Sequence, residues 1–262
     1  MMYERLDIIM KLINTKGFVK ANELSRDFGV SLDTIRRDLE SLEKKDLLKR
    51  VYGGAVSKYS KGAEIEYASR QQLHMDEKKA IALEASEFIN NGDTVIIDLG
   101  TTTLEAAKCL RDKKELTCLT NSMPVATELV MNDNGRVIML GGELRGGYYS
   151  TSGSLTSMEV NSFCVDKAII GASGISDKNG VTDYHLEEAN VRKKMIRKAE
   201  QVILLLDSSK IGVSTFVHVC NLDEIDILIT DWNANRSLLK AFEEYKTKII
   251  IAKKPPEKNI EN

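Results

Sequence analysis

Residues 30–39 read Val-Ser-Leu-Asp-Thr-Ile-Arg-Arg-Asp-Leu, the stretch of the chain richest in recognition chemistry. Ser31, Asp33, Thr34, Arg36 and Arg37 fall on the first turns of an expected helix. Such a helix can enter the major groove of DNA, where hydroxyls meet phosphates and a guanidinium pairs with guanine O6 and N7. Neighbouring helical positions point about 100° apart, so Arg36 and Arg37 are expected to divide base edge and backbone between them. The same residues also fit a solvated arginine pair on a surface helix, ion-paired to Asp33 or Asp38. The flanking elements favour DNA. A helix precedes the stretch, and an expected hairpin follows it, carrying Lys49 and Arg50 towards phosphates.

A second set of residues suits an anion. Gly100-Thr101-Thr102-Thr103 ends a buried strand and opens a helix, so backbone N–H groups, the helix dipole and three hydroxyls would converge there. Capping of that helix by a threonine explains the same residues equally well. Asn121-Ser122 repeats the strand-loop-helix design. Gly141-Gly142 follows Val137-Ile138-Met139-Leu140 and permits close backbone approach, to a ligand or within a turn. In an open α/β sheet the crevice beyond the strand carboxyl ends is the expected ligand site.

The elements that must position these groups follow from periodicity. Leu6, Ile9 and Ile13 recur at helical spacing, and Thr15-Lys16-Gly17 supplies a stop. A short helix fits Ala21–Phe28, broken by Gly29. Ser31 suits the N-cap of a third helix. On that helix Ile35, Leu39 and Leu42 form the apolar stripe, with Thr34, Arg37, Asp38 and Ser41 mostly away from it. Extended pieces around Gly53-Gly54 read as a hairpin. The whole predicts a winged helix-turn-helix over 1–57. Polar residues 58–75, with Lys58, Lys61 and Gly62, are expected to be a linker. Over 76–252, helices alternate with apolar strands at Thr94–Asp98, Leu116–Leu119, Arg136–Leu140, Ala168–Ile170, Val202–Leu206, Ile225–Ile229 and Lys248–Ile251, which predicts an α/β domain with a mainly parallel sheet. Residues 253–262 are expected to be a flexible tail. The run Arg192-Lys193-Lys194 with Arg197-Lys198 is expected to be the solvated face of an amphipathic helix, and His185 with Glu187-Glu188 its solvated start.

Composition narrows the class. The 262 residues are 42% hydrophobic and 29% charged, with a net charge of −2. Residues 1–58 hold 12 Lys and Arg against 9 Asp and Glu, and the remainder is acidic, a mild sign of nucleic acid at one end. Cys109, Cys118, Cys164 and Cys220 stand far apart, which argues against structural zinc and for a reduced, cytoplasmic chain. His74, His185 and His218 lack metal-ligand spacing, so no metal and no cofactor are expected. The charged start Met1-Met2-Tyr3-Glu4-Arg5 lacks a signal-peptide core, and no apolar run approaches the ~20 residues that span a bilayer, so no membrane partner is expected.

The run S-x-D-T-I-R-R-D-L followed by L-x-R-V-Y-G-G-A resembles the N-terminal signature of the DeoR/GlpR family of bacterial sugar-metabolism repressors. Asp98-Leu99-Gly100-Thr101-Thr102-Thr103, Thr120-Asn121-Ser122, Gly141-Gly142-Glu143-Leu144-Arg145 and Asp207-Ser208-Ser209-Lys210 extend the likeness in order through nearly the whole chain. Tyr52 departs from it, standing where many members carry histidine before the double glycine. The resemblance implies a sensor domain with the phosphosugar isomerase-like fold that binds a phosphorylated sugar. On that basis Asp98 is expected to bind a sugar hydroxyl or cap its loop, and Arg145 and Lys210 to join the site. It also implies a repressor acting on double-stranded operator DNA. A single winged helix buries a small interface, so a dimer or tetramer on paired half-sites is expected, with effector binding coupled to operator affinity. Tyr52 joins Lys49 and Arg50 as an expected wing contact. The alternative is a phosphosugar isomerase or deaminase with a DNA-binding head, for which Asp98, Glu143 and His185 are conceivable acid–base groups, though no catalytic residue is assigned.

Overall fold

The computed structural model describes residues 2–16, 18–45, 47–57, 64, 66–131 and 135–255. The chain divides into two compact units between Leu73 and His74, each with its own apolar core.

In the first unit, α1 (Met2–Lys16), β1 (Phe18–Lys20), α2 (Ala21–Phe28) and α3 (Leu32–Lys44) precede β2 (Leu48–Val51) and β3 (Gly54–Ser57). Gly29, at φ 61°, closes α2 in the left-handed region that favours glycine. Ser31 caps α3, its hydroxyl accepting from the Thr34 N–H at 3.2 Å. Ile35, Leu39 and Leu42 face Leu6, Ile9, Ile13 and Leu24 in the core. The hairpin β2–β3 forms, and β1 pairs antiparallel with β3 to complete a three-stranded sheet, β1-β3-β2. β1 was not among the expected elements, because three residues between two helices are too few to show a period. It makes Gly54 obligatory, since a Cβ there would lie 1.9 Å from the Val19 carbonyl oxygen.

Two expectations need correction. Asp38 does not lie away from the apolar stripe. It sits three residues after Ile35, is 3% exposed, and receives Arg5 in a two-bond ion pair, Nε–Oδ2 2.5 Å and Nη2–Oδ1 3.2 Å. Within the span 58–75 that reads as linker, α4 (Tyr67–Gln72) is helical, with the Tyr67 ring buried and Arg70 both over that ring and paired to Glu64 at 3.0 Å. Residues 58–63 and 65 of that span, and 256–262 of the expected tail, lie outside the described residues.

The second unit runs α5 (Met75–Ser86), β4 (Thr94–Ile97), α6 (Thr101–Cys109), β5 (Thr117–Thr120), α7 (Met123–Val130) and β6 (Arg136–Met139). Then come β7 (Glu143–Arg145), β8 (Ser150–Ser152), α8 (Ser154–Val160), β9 (Val165–Ile170), β10 (Gly174–Ser176) and β11 (Gly180–Asp183). It closes with α9 (Leu186–Lys198), β12 (Ala199–Leu205), β13 (Val217–Cys220), β14 (Ile227–Thr230), α10 (Arg236–Lys240) and β15 (Lys248–Ile251). All seven expected strands join one parallel sheet in the order β15-β14-β12-β9-β4-β5-β6. Alternation along each strand feeds two cores: Ile96, Ile170 and Leu204 enter one, Val95, Ile97, Ile169 and Ile203 the other. From β4 the chain runs outward through β5 and β6, then returns to β9 on the other side of β4. The strand order therefore reverses between β4 and β9, the switch point where open α/β sheets leave a crevice. The β7–β8 hairpin and the antiparallel sheet β10-β11-β13 were not expected from the sequence.

The close approach at Gly54 sets a first prediction. Gly54→Ala should lower the unfolding free energy in urea by about 1–3 kcal/mol, because β1 and β3 must part. Gly146→Ala, whose Cβ would meet nothing within 4 Å, should be nearly neutral.

Candidate functional site

The surface suited to DNA is built from α3 and the wing. With Ile35, Asp38, Leu39 and Leu42 buried, Ser31, Asp33, Arg36 and Arg37 are turned outward, and Thr34 is half-buried. Arg36 pairs with Asp33 at 3.1 Å, both well exposed, and the Ser31 and Thr34 hydroxyls lie 2.8 Å apart. Lys49 and Arg50 are exposed on β2, and Tyr52 is 88% exposed at the turn. Glu43 is a residue that pattern reasoning missed. Its two oxygens accept from the Arg50 N–H at 2.7 Å and from Arg50 Nε at 2.8 Å, tying the wing to the end of α3. Burial alone would raise the Glu43 carboxyl; the Arg50 amide and guanidinium hold it below the ordinary range.

At the carboxyl ends of the sheet the expected residues form a tightly bonded layer. Asp98 extends the β4–β9 pairing, its N–H donating to Ile169 O at 2.9 Å. Asn121, fully buried, accepts from the Leu99 N–H at 3.1 Å and donates to Thr151 O at 3.1 Å, so it clamps the loop before α6 to β8. Ser122 caps α7, accepting from the Val125 N–H at 3.4 Å. No threonine caps α6. Gly100 occupies the N-cap at φ 154°, and the Thr103 hydroxyl turns back to Gly100 O at 3.1 Å. Thr101, Thr102 and Thr103 are buried, and Thr102 Oγ1 has no hydrogen-bond partner among the described residues. The Gly141 N–H donates to Glu159 and its carbonyl accepts from the Thr156 hydroxyl, both at 2.6 Å, and a Cβ on Gly142 would lie 2.0 Å from Thr156 Oγ1. This glycine pair thus lets α8 close onto the turn before β7. The groups left partly exposed are Gly100, Gly141, Arg145 and Lys210, with Gly142 exposed. Lys210 Nζ donates to Ala172 O at 3.0 Å, just past β9 and therefore beside the switch point. It also lies 3.9 Å from Asp207, whose carboxyl burial would raise but the Lys210 charge holds below its ordinary value.

Arg192 overturns its expected place on a solvated face. It is 2% exposed, with Nε donating to Asp98 Oδ2 at 2.5 Å and Nη1 to Asp183 Oδ2. Glu188 is likewise buried rather than at a solvated helix start, accepting from the Ser150 hydroxyl at 3.2 Å and pairing with Arg145 at 3.0 Å. Glu187 is exposed as expected. The sequence did contain a signal. Glu188, Ala189, Arg192, Met195 and Ile196 share the helical stripe that faces the core. Burial pushes the Asp98 carboxyl up to about 6 against the pull of Arg192. Asp183, which burial would also raise, is held low by Arg192, the Tyr184 N–H and the Ser173 hydroxyl. Glu143, one of the conceivable acid–base groups, lies exposed on β7, whereas Asp98 is committed to Arg192. Among the described residues no cluster of His, Cys, Asp or Glu is arranged to hold a metal ion, and no helix is long and apolar enough to cross a membrane.

Comparison with known proteins matches residues 5–61 to the DeoR-like helix-turn-helix domain and residues 73–232 to the DeoR C terminal sensor domain. The HTH-type transcriptional regulator YulB of Bacillus subtilis (strain 168), itself described as uncharacterized, is 39% identical over 246 residues, covering 94% of this chain and 95% of that protein. The HTH-type transcriptional repressor GlcR of the same organism is 34% identical over 248 residues, 95% of each chain. The glycerol-3-phosphate regulon repressor of Escherichia coli (strain K12) is 32% identical over 228 residues, 87% of this chain and 90% of that one. Among solved structures, ribose 5-phosphate isomerase A from Methanocaldococcus jannaschii overlaps 52% of this chain and 54% of its own, with a TM-score of 0.38 and 17% identity.

The buried network sets a second prediction. Arg192→Met would strand two carboxylates in the interior and should cost about 3–5 kcal/mol of stability, read by urea unfolding. A loss within about 0.5 kcal/mol, the range of ordinary surface substitutions, would mean that Arg192 is solvated.

Proposed function

The chain belongs to the DeoR family of helix-turn-helix transcriptional regulators, and from that premise we propose that it represses a carbohydrate-utilisation operon under the control of a phosphorylated sugar. The observation that carries this reading is the pairing, in one chain, of an outward Arg36–Arg37 helix with a second unit in which α6 starts just past β4 and Lys210 reaches Ala172 just past β9, the two strands between which the sheet order reverses. Relatives named as repressors cover both units.

Ser31, Asp33, Thr34, Arg36 and Arg37 would approach the major groove, with Lys49, Arg50 and Tyr52 on the flanking backbone. A single winged helix buries a small interface, so the working form is a dimer or tetramer of this chain in the cytoplasm, reading paired half-sites. The effector's phosphate would lie against the N–H groups at Gly100–Thr103, where the helix dipole favours an anion, with Lys210 and Arg145 as its cations. Asn121, Ser122, Gly141 and Gly142 shape that end of the sheet from beneath. Asp98, fully buried, would orient the loop. Effector binds one arrangement of the sensor units better than the other, and the change in operator affinity is bounded by that difference.

Two substitutions test the two halves. Arg37→Ala should weaken binding to a specific operator by about 1–3 kcal/mol and relax one base position, measured by fluorescence anisotropy on single-base operator variants. A uniform loss across all DNA would assign Arg37 to phosphate instead. Lys210→Ala should abolish the response to sugar phosphates while operator binding persists; a retained response would remove Lys210 from the site.

A further inference from the structure

α9 carries two buried charges one turn apart, Glu188 at 1% and Arg192 at 2% exposure. Neither belongs to a loop at the carboxyl ends of the sheet, yet each holds one that does. Arg192 grips Asp98, which leads into Gly100 and the first turn of α6, and Asp183 at the end of β11. Asp98 Oδ2 also receives the Gly171 N–H at 3.4 Å, so the loops after β4 and β9 meet on the same carboxylate. Glu188 grips Arg145 on β7 and Ser150 on β8. The Arg145 guanidinium stacks 3.6 Å from the centroid of the Tyr148 ring and keeps 21% exposure. A guanidinium has five donors in one plane, so contact with Glu188 and Tyr148 fixes that plane while an outer edge can still meet an anion.

We propose that Glu188 and Arg192 are the positioning residues of the effector site, Glu188 acting through Arg145 and Arg192 through the Asp98–Gly100 turn. The proposal rests on the effector reading above and adds to it the group that sets each anion-binding element in place. Without Glu188, Arg145 would lose its buried counter-charge and keep the Tyr148 ring without the carboxylate that sets its direction. Without the two-way bond of Arg192, Asp98 would hold the turn before α6 only through its backbone and the long bond from the Gly171 N–H. Both residues would then govern how tightly a phosphate is held without touching it.

The test uses the full chain and inorganic phosphate as the probe, with affinity measured by calorimetric titration at low ionic strength. Wild type should bind. Arg145→Ala and Glu188→Gln should each weaken phosphate binding about tenfold, and the double variant should be no weaker than Arg145→Ala alone, because Glu188 works through Arg145. Arg192→Lys, which keeps the buried charge but lacks the rigid planar fork that sets two carboxylates in fixed directions, should weaken binding about fivefold or more. Unchanged affinity in both Glu188→Gln and Arg192→Lys, or fully additive losses in the double variant, would overturn the proposal while leaving the effector reading standing. A wild-type chain that does not bind phosphate would overturn the effector reading, and this proposal with it.

Discussion

The second unit is organised around one buried guanidinium. Taking Arg192 out of water costs several kcal/mol, a cost offset only where carboxylates of good geometry meet it. Asp98 and Asp183 do so at two different nitrogens, Nε and Nη1, one acid just past β4 and the other at the end of β11. These two contacts tie β4 of the parallel sheet to β11 of the antiparallel sheet and to α9. It also divides the two acids: burial dominates at Asp98, which is pushed up to about 6, while Asp183 gathers further donors and stays low. The turn from Asp98 to Gly100 is thereby fixed, and with it the direction in which the first N–H groups of α6 point.

The first unit repeats the device on a smaller scale. Arg5 of α1 reaches Asp38 of α3 with two bonds, immediately after the Arg36–Arg37 pair. A buried carboxylate on one side of the helix sets its roll, so the arginines on the other side face outward. Glu43 does the same for the wing by holding Arg50. In both units, then, a carboxylate–guanidinium contact lies next to the residues that would meet a ligand. Such contacts add little net stability compared with apolar packing of the same volume, but they are directional, and direction is what a recognition surface needs.

Much of this architecture is written locally. Ser31 as a cap, Gly29 as a stop and the alternation of β4, β5, β9 and β12 each reflect a preference of a few adjacent residues, which periodicity reports directly. Asp38, Glu188 and Arg192 depart from their local pattern for the opposite reason. Their polarity suggested solvent, while their helical phase placed them on the buried stripe, and only partners 33, 38 and 94 residues away resolve the conflict. The same holds for Asn121: its position after a strand suggested a ligand contact, but the structure spends both ends of its amide on the loop before α6 and on β8. The short strands β1, β7, β8 and β10 escaped notice because three residues carry no measurable period. In sequence Gly142 fits a ligand contact or a turn, and in the structure the Thr156 hydroxyl occupies the place of its missing Cβ.

If the two units work as one regulator, they share a thermodynamic constraint stronger than any single contact. An effector that alters operator affinity must have its own affinity altered by operator to the same degree. The most direct test of the account is therefore calorimetric titration of the active sugar phosphate into the protein, free and saturated with operator DNA. The two dissociation constants should differ by the same factor, about tenfold or 1.4 kcal/mol, by which the ligand shifts operator binding. Equal constants in the presence and absence of operator would contradict it, and would leave the second unit a ligand-binding domain with no hold on the DNA.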